Sequence, residues 1–458
     1  MSVISESQNF TQADVESLTW PITINGGIES SPVIITITEE ITLNQQNNYF
    51  IIGSDNITID GNSFLITFDN IDNYKGFVSN NVYSDITIKN IVNTGKSTLN
   101  QYAGWLAQSK FGNENTVNIL IDKCSNSIAI DGISSGGLAG SNFFGTISNS
   151  INFGIILSSS AGGIVGFGCI GDINSCINNG QICGARSGGI CGSNSILNIN
   201  SCTNNGEISG TYSGGIFGFN SSGTADSCIN IGEISGENTG GICSPVNDNN
   251  ITELIIKKCE NYGEISGKGS GGFFAYITSG TISNITNYGT ISGHFAGGII
   301  GSESTIDVNE CVNKGQVTGH YSGGIYGGDC TGTATRCINN GELSGYLAGG
   351  VFGNNGTGSV IYCMNTGVIS GDSAGGIIGP NSDVNALNCY NNAVISGVNS
   401  GGIQGYSSKG DSVNCINDGI ILGVSSGGIY GGSSTGSASN CTNNSTNLGL
   451  HSGQIYGN

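Results

Sequence analysis

Carboxylate and imidazole side chains recur in this chain at intervals that would stack them. Glu207, Glu233 and Glu264 occupy one position of a repeated phrase, while His294 and His320 share another position, 26 residues apart. If such residues lie about 5 Å apart, neighbouring carboxylates repel by roughly 1 kcal/mol per pair in water. A Ca²⁺ ion would relieve the repulsion, and a solvent-facing stripe would tolerate it. The sequence leaves both interpretations open.

Eleven of the sixteen cysteines also share one repeat position. Ser150 and Ile285 stand there in two copies, and exchange with isoleucine indicates a small, buried, apolar side chain. Disulfides between stacked neighbours are disfavoured because their Cβ vectors run parallel, and no Cys-x-x-Cys pair points to zinc. The eleven cysteines of this position are Cys124, Cys176, Cys202, Cys228, Cys259, Cys311, Cys337, Cys363, Cys389, Cys415 and Cys441.

Cleavage of polysaccharides would need a different arrangement. Such enzymes use paired carboxylates, or a basic residue beside bound calcium, in a groove walled by loops. Candidates lie in the irregular part of the chain, at Asp60, Asp69, Asp72 and Trp105, or at Glu253 in an insertion. A polysaccharide lyase or glycoside hydrolase of this kind is the alternative to a non-enzymatic function.

A glycine-led phrase, usually Gly-Gly-Ile, sets the spacing of all these residues. Its copies are 26 residues apart, except for the step of 31 residues from Gly240 to Gly271, whose five extra residues lie between Cys243 and Cys259. A fixed period of this length indicates stacked units that contact only their neighbours. The first residue of the phrase is Gly136, Gly162, Gly188, Gly214, Gly240, Gly271, Gly297, Gly323, Gly349, Gly375, Gly401, Gly427 and Gly453.

Each repeat contains three short apolar or β-branched runs, separated by Gly, Asn and Ser, without helical periodicity. Such runs are typical of strands. The sequence therefore predicts an all-β fold, a single-stranded right-handed parallel β-helix with three short strands per 26-residue coil and a short N-terminal helical cap. Equivalent residues of successive coils form columns, and the isoleucine of the phrase forms the core.

Asparagine fills one column without a gap. Because an amide carries both donors and acceptors, stacked copies can bond along the column and brace one turn. The column is Asn126, Asn152, Asn178, Asn204, Asn230, Asn261, Asn287, Asn313, Asn339, Asn365, Asn391, Asn417 and Asn443.

The residue after the core isoleucine is mostly apolar, and strand alternation predicts that it faces outward. An apolar outer stripe favours lateral packing between copies of the chain. Two alternatives remain: a local bulge that turns both columns inward, and an aromatic platform for sugars. The candidate contact stripe is Phe217, Phe274, Ile300, Tyr326, Phe352, Ile378, Tyr430 and Tyr456.

The composition of the chain limits the classes of partner that it can bind. The 458 residues include 32 acidic and 12 basic side chains, and a net charge of −20 repels nucleic acids and anionic lipids. No apolar run is long enough to insert into a membrane, and the first residues lack a secretion signal. We expect synthesis in a reducing cytosol, or loss of a leader. Assembly would follow on a virion or particle surface, or on a cell surface by non-classical export.

Three segments differ in regularity. Residues 1–20 form an N-terminal cap or arm with a capping-box-like start at Thr11–Asp14, residues 21–123 form irregular coils, and residues 124–458 form the regular repeat. No matching cap follows the last copy. An open end of this kind favours self-association.

The repeat resembles a known group. Residues Asn204–Gly218, with Ile-Ser-Gly and Ser-Gly-Gly-Ile-Phe-Gly, are similar to the GLUG-type repeat of bacterial adhesins and of surface-type proteins of giant viruses. Residues Phe50–Asn62 resemble the opening coils of pectate-lyase-like helices. The resemblance implies a β-solenoid fold and carries no catalytic signature.

These observations predict a non-enzymatic structural or adhesive β-helix rod, a surface or virion fibre-type component. Its expected partners are other copies of the chain, through the stripe or the open end, and glycans. We predict no catalytic residue, metal site or cofactor.

Overall fold

The computed structural model describes residues 1–244, 254–277, 280–445 and 449–457. These residues form two compact units, Met1–Cys228 and Ile229–Asn458, which we call the amino-terminal and carboxy-terminal units. Both are built from short parallel strands, and the chain makes about sixteen turns of a β-solenoid with about 26 residues per turn. The all-β parallel fold predicted from the repeat is confirmed.

The amino-terminal unit contains the helix α1 at Gln12–Ser17. Its strands are β1 Val3–Ile4, β2 Gln8–Phe10, β3 Ile22–Ile24, β4 Val33–Ile37, β5 Ile41–Leu43, β6 Phe50–Ile52, β7 Ile57–Asp60, β8 Leu65–Phe68, β9 Val78–Ser79, β10 Ile86–Lys89, β11 Val92–Gly95, β12 Ile119–Asp122, β13 Ser125–Asn126, β14 Phe144–Ser148, β15 Ile151–Asn152, β16 Ile170–Asn174, β17 Ile177–Asn178, β18 Ile196–Asn200, β19 Thr203–Asn204 and β20 Ser222–Asp226.

The strands of the carboxy-terminal unit are β21 Ile229–Asn230, β22 Leu254–Lys257, β23 Glu260–Asn261, β24 Thr281–Ser283, β25 Thr286–Asn287, β26 Val308–Asn309, β27 Val312–Asn313, β28 Thr331–Thr335, β29 Ile338–Asn339, β30 Thr357–Ile361, β31 Met364–Asn365, β32 Asp383–Leu387, β33 Tyr390–Asn391, β34 Ser412–Val413, β35 Ile416–Asn417, β36 Ala438–Ser439 and β37 Thr442–Asn443.

Each strand pairs in parallel with its equivalent in the next coil. In the amino-terminal unit one sheet runs β2, β4, β7, β10, β12, β14, β16, β18, β20, and a second runs β5, β8, β11, β13, β15, β17, β19. In the carboxy-terminal unit the even-numbered strands β22 to β36 form one sheet and the odd-numbered strands β21 to β37 form the other.

The third side of each coil differs along the chain. In the first coils it is a true sheet, in the order β1, β3, β6, β9. Later coils keep only single-residue bridges there, such as Gly162 with Gly188 and Val165 with Cys191. The third strand predicted from the sequence is therefore reduced to bridges in the regular repeat.

The two adjacent glycines of the repeat are required because neighbouring backbone atoms leave no room for a side chain, and not because their φ angles are positive. A Cβ added at Gly188 would lie 2.2 Å from the Cys191 carbonyl oxygen, and one at Gly189 would lie 2.2 Å from that of Gly215. The left-handed corner positions are instead occupied mainly by other residues, among them Ser201 with φ 53° and Asn220 with φ 55°.

The predicted asparagine column forms a continuous hydrogen-bonded ladder within each unit. Asn287, for example, accepts from Asn261 Nδ2 at 2.7 Å and donates from its own Nδ2 to Asn313 Oδ1 at 2.8 Å. The same Nδ2 also donates to the carbonyl of Gly289 at 2.8 Å, which closes the turn within the coil. We call this column the asparagine ladder.

Residues 1–20 combine two elements. Strands β1 and β2 already pair with the following coil, while α1 lies beside β5. The helix begins where the Thr11 N–H and hydroxyl both donate to the Asp14 carboxylate at 2.8 Å. Trp20 is buried next to the helix and donates from Nε1 to the Val15 carbonyl at 3.0 Å. The short N-terminal helix predicted from the sequence is present.

The cysteines are free thiols, and all but Cys183 and Cys441 are buried. Burial raises the pKa of Cys124, Cys169 and Cys191 to about 12, so their reactive thiolate form is scarce at neutral pH. The prediction of buried thiols is confirmed along the cysteine column, with Cys441 as the partly exposed exception.

Thiol labelling should therefore separate two groups of cysteines. At pH 8 we expect the folded protein to react rapidly with a disulfide reagent only at Cys183, and all sixteen thiols to react after unfolding. Cys441 is partly exposed but should react more slowly, because a hydrogen bond with Cys415 and partial burial raise its pKa. Mass spectrometry of the labelled peptides identifies the sites. Rapid labelling of Cys124 or Cys191 in the folded protein would contradict the burial described above.

Candidate functional site

The outward-facing stripe predicted from the sequence is wrong. Seven of its eight residues have no exposed surface, and only Tyr456, at 38%, reaches solvent. The buried seven are Phe217, Phe274, Ile300, Tyr326, Phe352, Ile378 and Tyr430.

A backbone bulge explains the inward turn. The N–H groups of Val351 and Phe352 both donate to the carbonyl of Ile377, at 2.7 and 3.1 Å. Two successive donors on one acceptor interrupt the alternation of side chains, so both point into the core. The tyrosine hydroxyls of this column also find partners inside, as Tyr430 does by donating to the Ser437 carbonyl at 2.8 Å. The bulge that the sequence allowed as an alternative is the arrangement found.

Of the acidic residues proposed for an enzyme, Asp60 is paired, and Asp69 and Asp72 are exposed. Asp60 is held by Lys89 at 3.2 Å. Partial burial raises its pKa, but hydrogen bonds from the Asn90 side chain and the Asn62 N–H outweigh burial, so the pKa of Asp60 lies below its ordinary value. Asp69 and Asp72 follow β8 in the chain. A general acid needs a raised pKa, which Asp60 lacks.

Trp105 is also unavailable to a substrate. It has no exposed surface, and its ring packs on Tyr74 with centroids 6.1 Å apart. Its Nε1 donates to the Ala129 carbonyl at 3.3 Å. Glu253, the remaining candidate, lies outside the described residues.

Of the stacked glutamates, Glu233 and Glu264 are exposed and Glu207 is partly exposed. Ser266 Oγ donates to Glu233 at 2.9 Å, and Ser292 Oγ donates to Glu264 at 2.7 Å, while Glu207 accepts from Gln181 Nε2 at 2.9 Å. Within the part of the chain that the structure describes, no three His, Cys, Asp or Glu side chains are grouped as metal ligands. Hydroxyl and amide donors thus relieve the like charges here.

A concave site lies elsewhere, on the outer face of the amino-terminal unit. It is a groove of about 570 Å³ where the irregular coils meet the first regular ones, and we call it the loop groove. Its twelve lining residues are Asn81, Val82, Lys110, Gly112, Asn113, Glu114, Asn115, Asn142, Phe143, Phe144, Gly168 and Ile170.

The wall of the loop groove is the long connection between β11 and β12. Its backbone is fixed on the coil below by the Gly112 N–H, which donates to the Asn80 carbonyl at 3.2 Å, and by Asn113 Nδ2, which donates to the Asn81 carbonyl at 2.6 Å. The Asn115 N–H donates to Asn113 Oδ1 at 2.8 Å, which turns the loop tip back on itself. The wall is therefore preformed.

The floor of the loop groove is apolar. Phe144 and Ile170 begin β14 and β16 and lie in register on adjacent coils. Ile170 is 43% exposed and Val82, at the edge of the groove, is 64% exposed. Large apolar side chains that stay this exposed inside a concavity favour contact with a ligand.

The polar groups around this floor are mostly neutral. Four asparagines, at positions 81, 113, 115 and 142, surround it together with one cation, Lys110, and one carboxylate, Glu114. Amides both donate and accept, which suits hydroxyl-rich ligands. Hydrolysis of a glycosidic bond uses two carboxylates, and the described lining residues supply one. The arrangement is thus suited to binding.

Sequence reasoning missed the loop groove. The sequence signal was the irregular step between Gly95 and Cys124, where the chain has more residues than a regular coil needs. Among these residues are asparagines at positions 113, 115 and 118 and a glutamate at position 114. Their position over Phe144 and Ile170 depends on how the extra residues fold back, which the repeat pattern does not specify.

Comparison of the chain with protein-family models, curated proteins and solved structures finds no match in any of the three. Among the described residues no helix has the length and apolar character needed to cross a membrane.

Proposed function

We propose that this protein is a non-enzymatic β-solenoid of the structural or adhesive kind, and that it binds a neutral carbohydrate in the loop groove. The observation that carries the proposal is the combination of a preformed concavity of about 570 Å³ with an exposed apolar floor and a ring of amides. A sugar presents both an apolar face of C–H groups and hydroxyls at its edge, so it matches both parts of the lining.

The charge of the chain supports this choice of ligand class. With a net charge of −20, the protein repels polyanions, whereas a neutral glycan meets no such barrier. The resemblance of the repeat to those of bacterial adhesins and giant-virus surface proteins points in the same direction. We therefore infer display on a particle or cell surface.

A panel of neutral oligosaccharides, titrated calorimetrically against the purified chain, tests the proposal. Ile170→Ser should weaken the binding of the best ligand at least about tenfold, the loss expected for one well-buried apolar contact. Ile196→Ser is the matched control: Ile196 pairs in register with Ile170, is 46% exposed, and does not line the groove.

Three outcomes would contradict the proposal. The first is that no neutral oligosaccharide binds, and the second is that both serine variants weaken binding equally. The third is release of new reducing ends from an oligosaccharide, abolished by Glu114→Gln, which would make the groove a catalytic site.

A further inference from the structure

A second concavity, of about 320 Å³, lies on the carboxy-terminal unit and owes its existence to one glycine. Its lining residues are Glu237, Asn238, Lys268, Gly269, Phe295, Ser302, Glu303 and Asp329. None of them belongs to the loop groove. We call it the acidic pocket.

The pocket interrupts a stack of aromatic rings. Phe295 and Tyr321 occupy the same repeat position on adjacent coils, and their rings stack with centroids 4.9 Å apart and planes 11° apart. The previous coil has Gly269 at that position, and the one before it has Asn238. One face of the Phe295 ring is covered by Tyr321, and the other therefore borders the space left by Gly269.

The size of that space fits one planar group. Coils are about 4.8 Å apart, so the residues on either side of Gly269 are about 10 Å apart along the solenoid. A flat group about 3.5 Å thick can lie between the Phe295 ring and the Asn238 amide without moving the backbone. The edge of the Phe295 ring lies close to the Gly328 backbone, since a Cβ added at Gly328 would be 2.5 Å from Cδ1 of the ring.

Charge decides which planar group is favoured. Three carboxylates, Glu237, Glu303 and Asp329, line the pocket against a single ammonium, that of Lys268. Asp329 is oriented by Asn355, whose Nδ2 donates to its Oδ1 at 2.7 Å. The described residues contain no group of three His, Cys, Asp or Glu placed to hold a metal ion, so these carboxylates are not arranged for one.

We propose that the acidic pocket binds a guanidinium group, the planar cation of arginine. Guanidinium stacks on an aromatic face and donates in its plane to carboxylates, so it uses the open face of Phe295 and the acidic rim together. The Asn238 amide oxygen offers a further acceptor on the opposite side. The ligand is either an arginine side chain of a partner protein or a small guanidinium compound.

Three probes distinguish the contribution of planar shape to binding from the contribution of positive charge. The terminal side-chain group is planar and charged in N-acetyl-arginine amide, planar and neutral in the citrulline analogue, and charged but not planar in the lysine analogue. We expect calorimetry or ligand-observed NMR to give at least about tenfold tighter binding for the arginine probe than for either other probe. Tighter binding of an arginine peptide than of the single amino acid would identify a protein partner as the source.

The variant Gly269→Tyr tests the geometry directly. A tyrosine there would continue the stack and fill the pocket, and this repeat position already holds Phe295 with φ 56° and Tyr321 with φ 62° in the native chain. Its Cβ would meet the Asn238 amide oxygen and the Ser302 hydroxyl, both at the ends of side chains that can rotate. We expect a folded protein that no longer binds the arginine probe.

Asn399→Tyr is the control for the added ring, since Asn399 holds the same repeat position with φ 56° and lies outside the pocket. Glu303→Gln is a second route that leaves the backbone untouched and should weaken arginine binding about fivefold, with a smaller dependence on salt. Equal affinity for the arginine and citrulline probes, or unchanged binding in both Gly269→Tyr and Glu303→Gln, would overturn the proposal.

Discussion

Asn287→Leu should lower the free energy of unfolding of the carboxy-terminal unit by about 3 to 9 kcal/mol, because it removes three buried hydrogen bonds and leaves their partners unpaired at about 1 to 3 kcal/mol each. Asn287 has no exposed surface, and its amide links Asn261, Gly289 and Asn313. Urea unfolding followed by far-ultraviolet circular dichroism measures the change.

Asn93→Leu provides the matched control. It replaces the same residue type but removes no side-chain hydrogen bond, so it tests whether the loss of stability comes from the hydrogen bonds. Asn93 is equally buried, yet neither of its amide atoms has a hydrogen-bond partner. It lies in register with Ile66 on one side and with Asn126 on the other. Removing an unpaired buried amide should leave the stability unchanged or raise it by about 1 kcal/mol. Equal losses in the two variants would contradict the role of the asparagine ladder.

Phe352→Ala should destabilise the protein by about 3 to 5 kcal/mol, the cost of a cavity where a buried ring was. Phe352 has no exposed surface, and its ring stacks on Tyr326 with centroids 4.3 Å apart. Had this column faced outward, as strand alternation predicts, the same change would cost almost nothing. The unfolding midpoint in urea therefore distinguishes the two arrangements.

Tyr362→Ala is the comparison for an exposed aromatic residue. Tyr362 follows β30 directly and is 57% exposed, so its truncation should change stability by no more than about 0.5 kcal/mol. A loss as small in Phe352→Ala as in Tyr362→Ala would contradict the burial of the column.

The period of the sequence was enough to predict the stacking. A repeat of 26 residues places Asn126 over Asn152 and Ile182 over Ile208 wherever the strands pair in register, and the structure has these pairs. The fold followed from the sequence because every column must be filled by side chains that tolerate their own copies as neighbours.

Whether the side chains of the Phe352 column face the core or the solvent could not be predicted in the same way. Alternation applies to a continuous ladder, but near Phe352 only isolated bridges hold the coil, and the bulge there turns two successive side chains inward. Gln404 shows that residue type is a weak signal of burial in this column. This polar residue in the column is buried as well, with Nε2 donating to the Gly410 carbonyl at 2.8 Å.

The two candidate binding sites were missed for a related reason. Both arise where the repeat is broken, at the long connection around Asn113 in one unit and at Gly269 in the other. A single glycine among 79 gives no signal by itself. It becomes informative only after the neighbouring rings of Phe295 and Tyr321 are known to stack.

The asparagine ladder gives the carboxy-terminal unit an electrical polarity. Every amide from Asn230 to Asn417 donates toward the following coil, so the side-chain dipoles add head to tail as peptide dipoles do in an α-helix. The row would end on an unsatisfied N–H at Asn443, but Gln454 Oε1 accepts it at 2.8 Å. Gln454, which stands where earlier copies have the second glycine, thus terminates the row much as a capping residue terminates a helix.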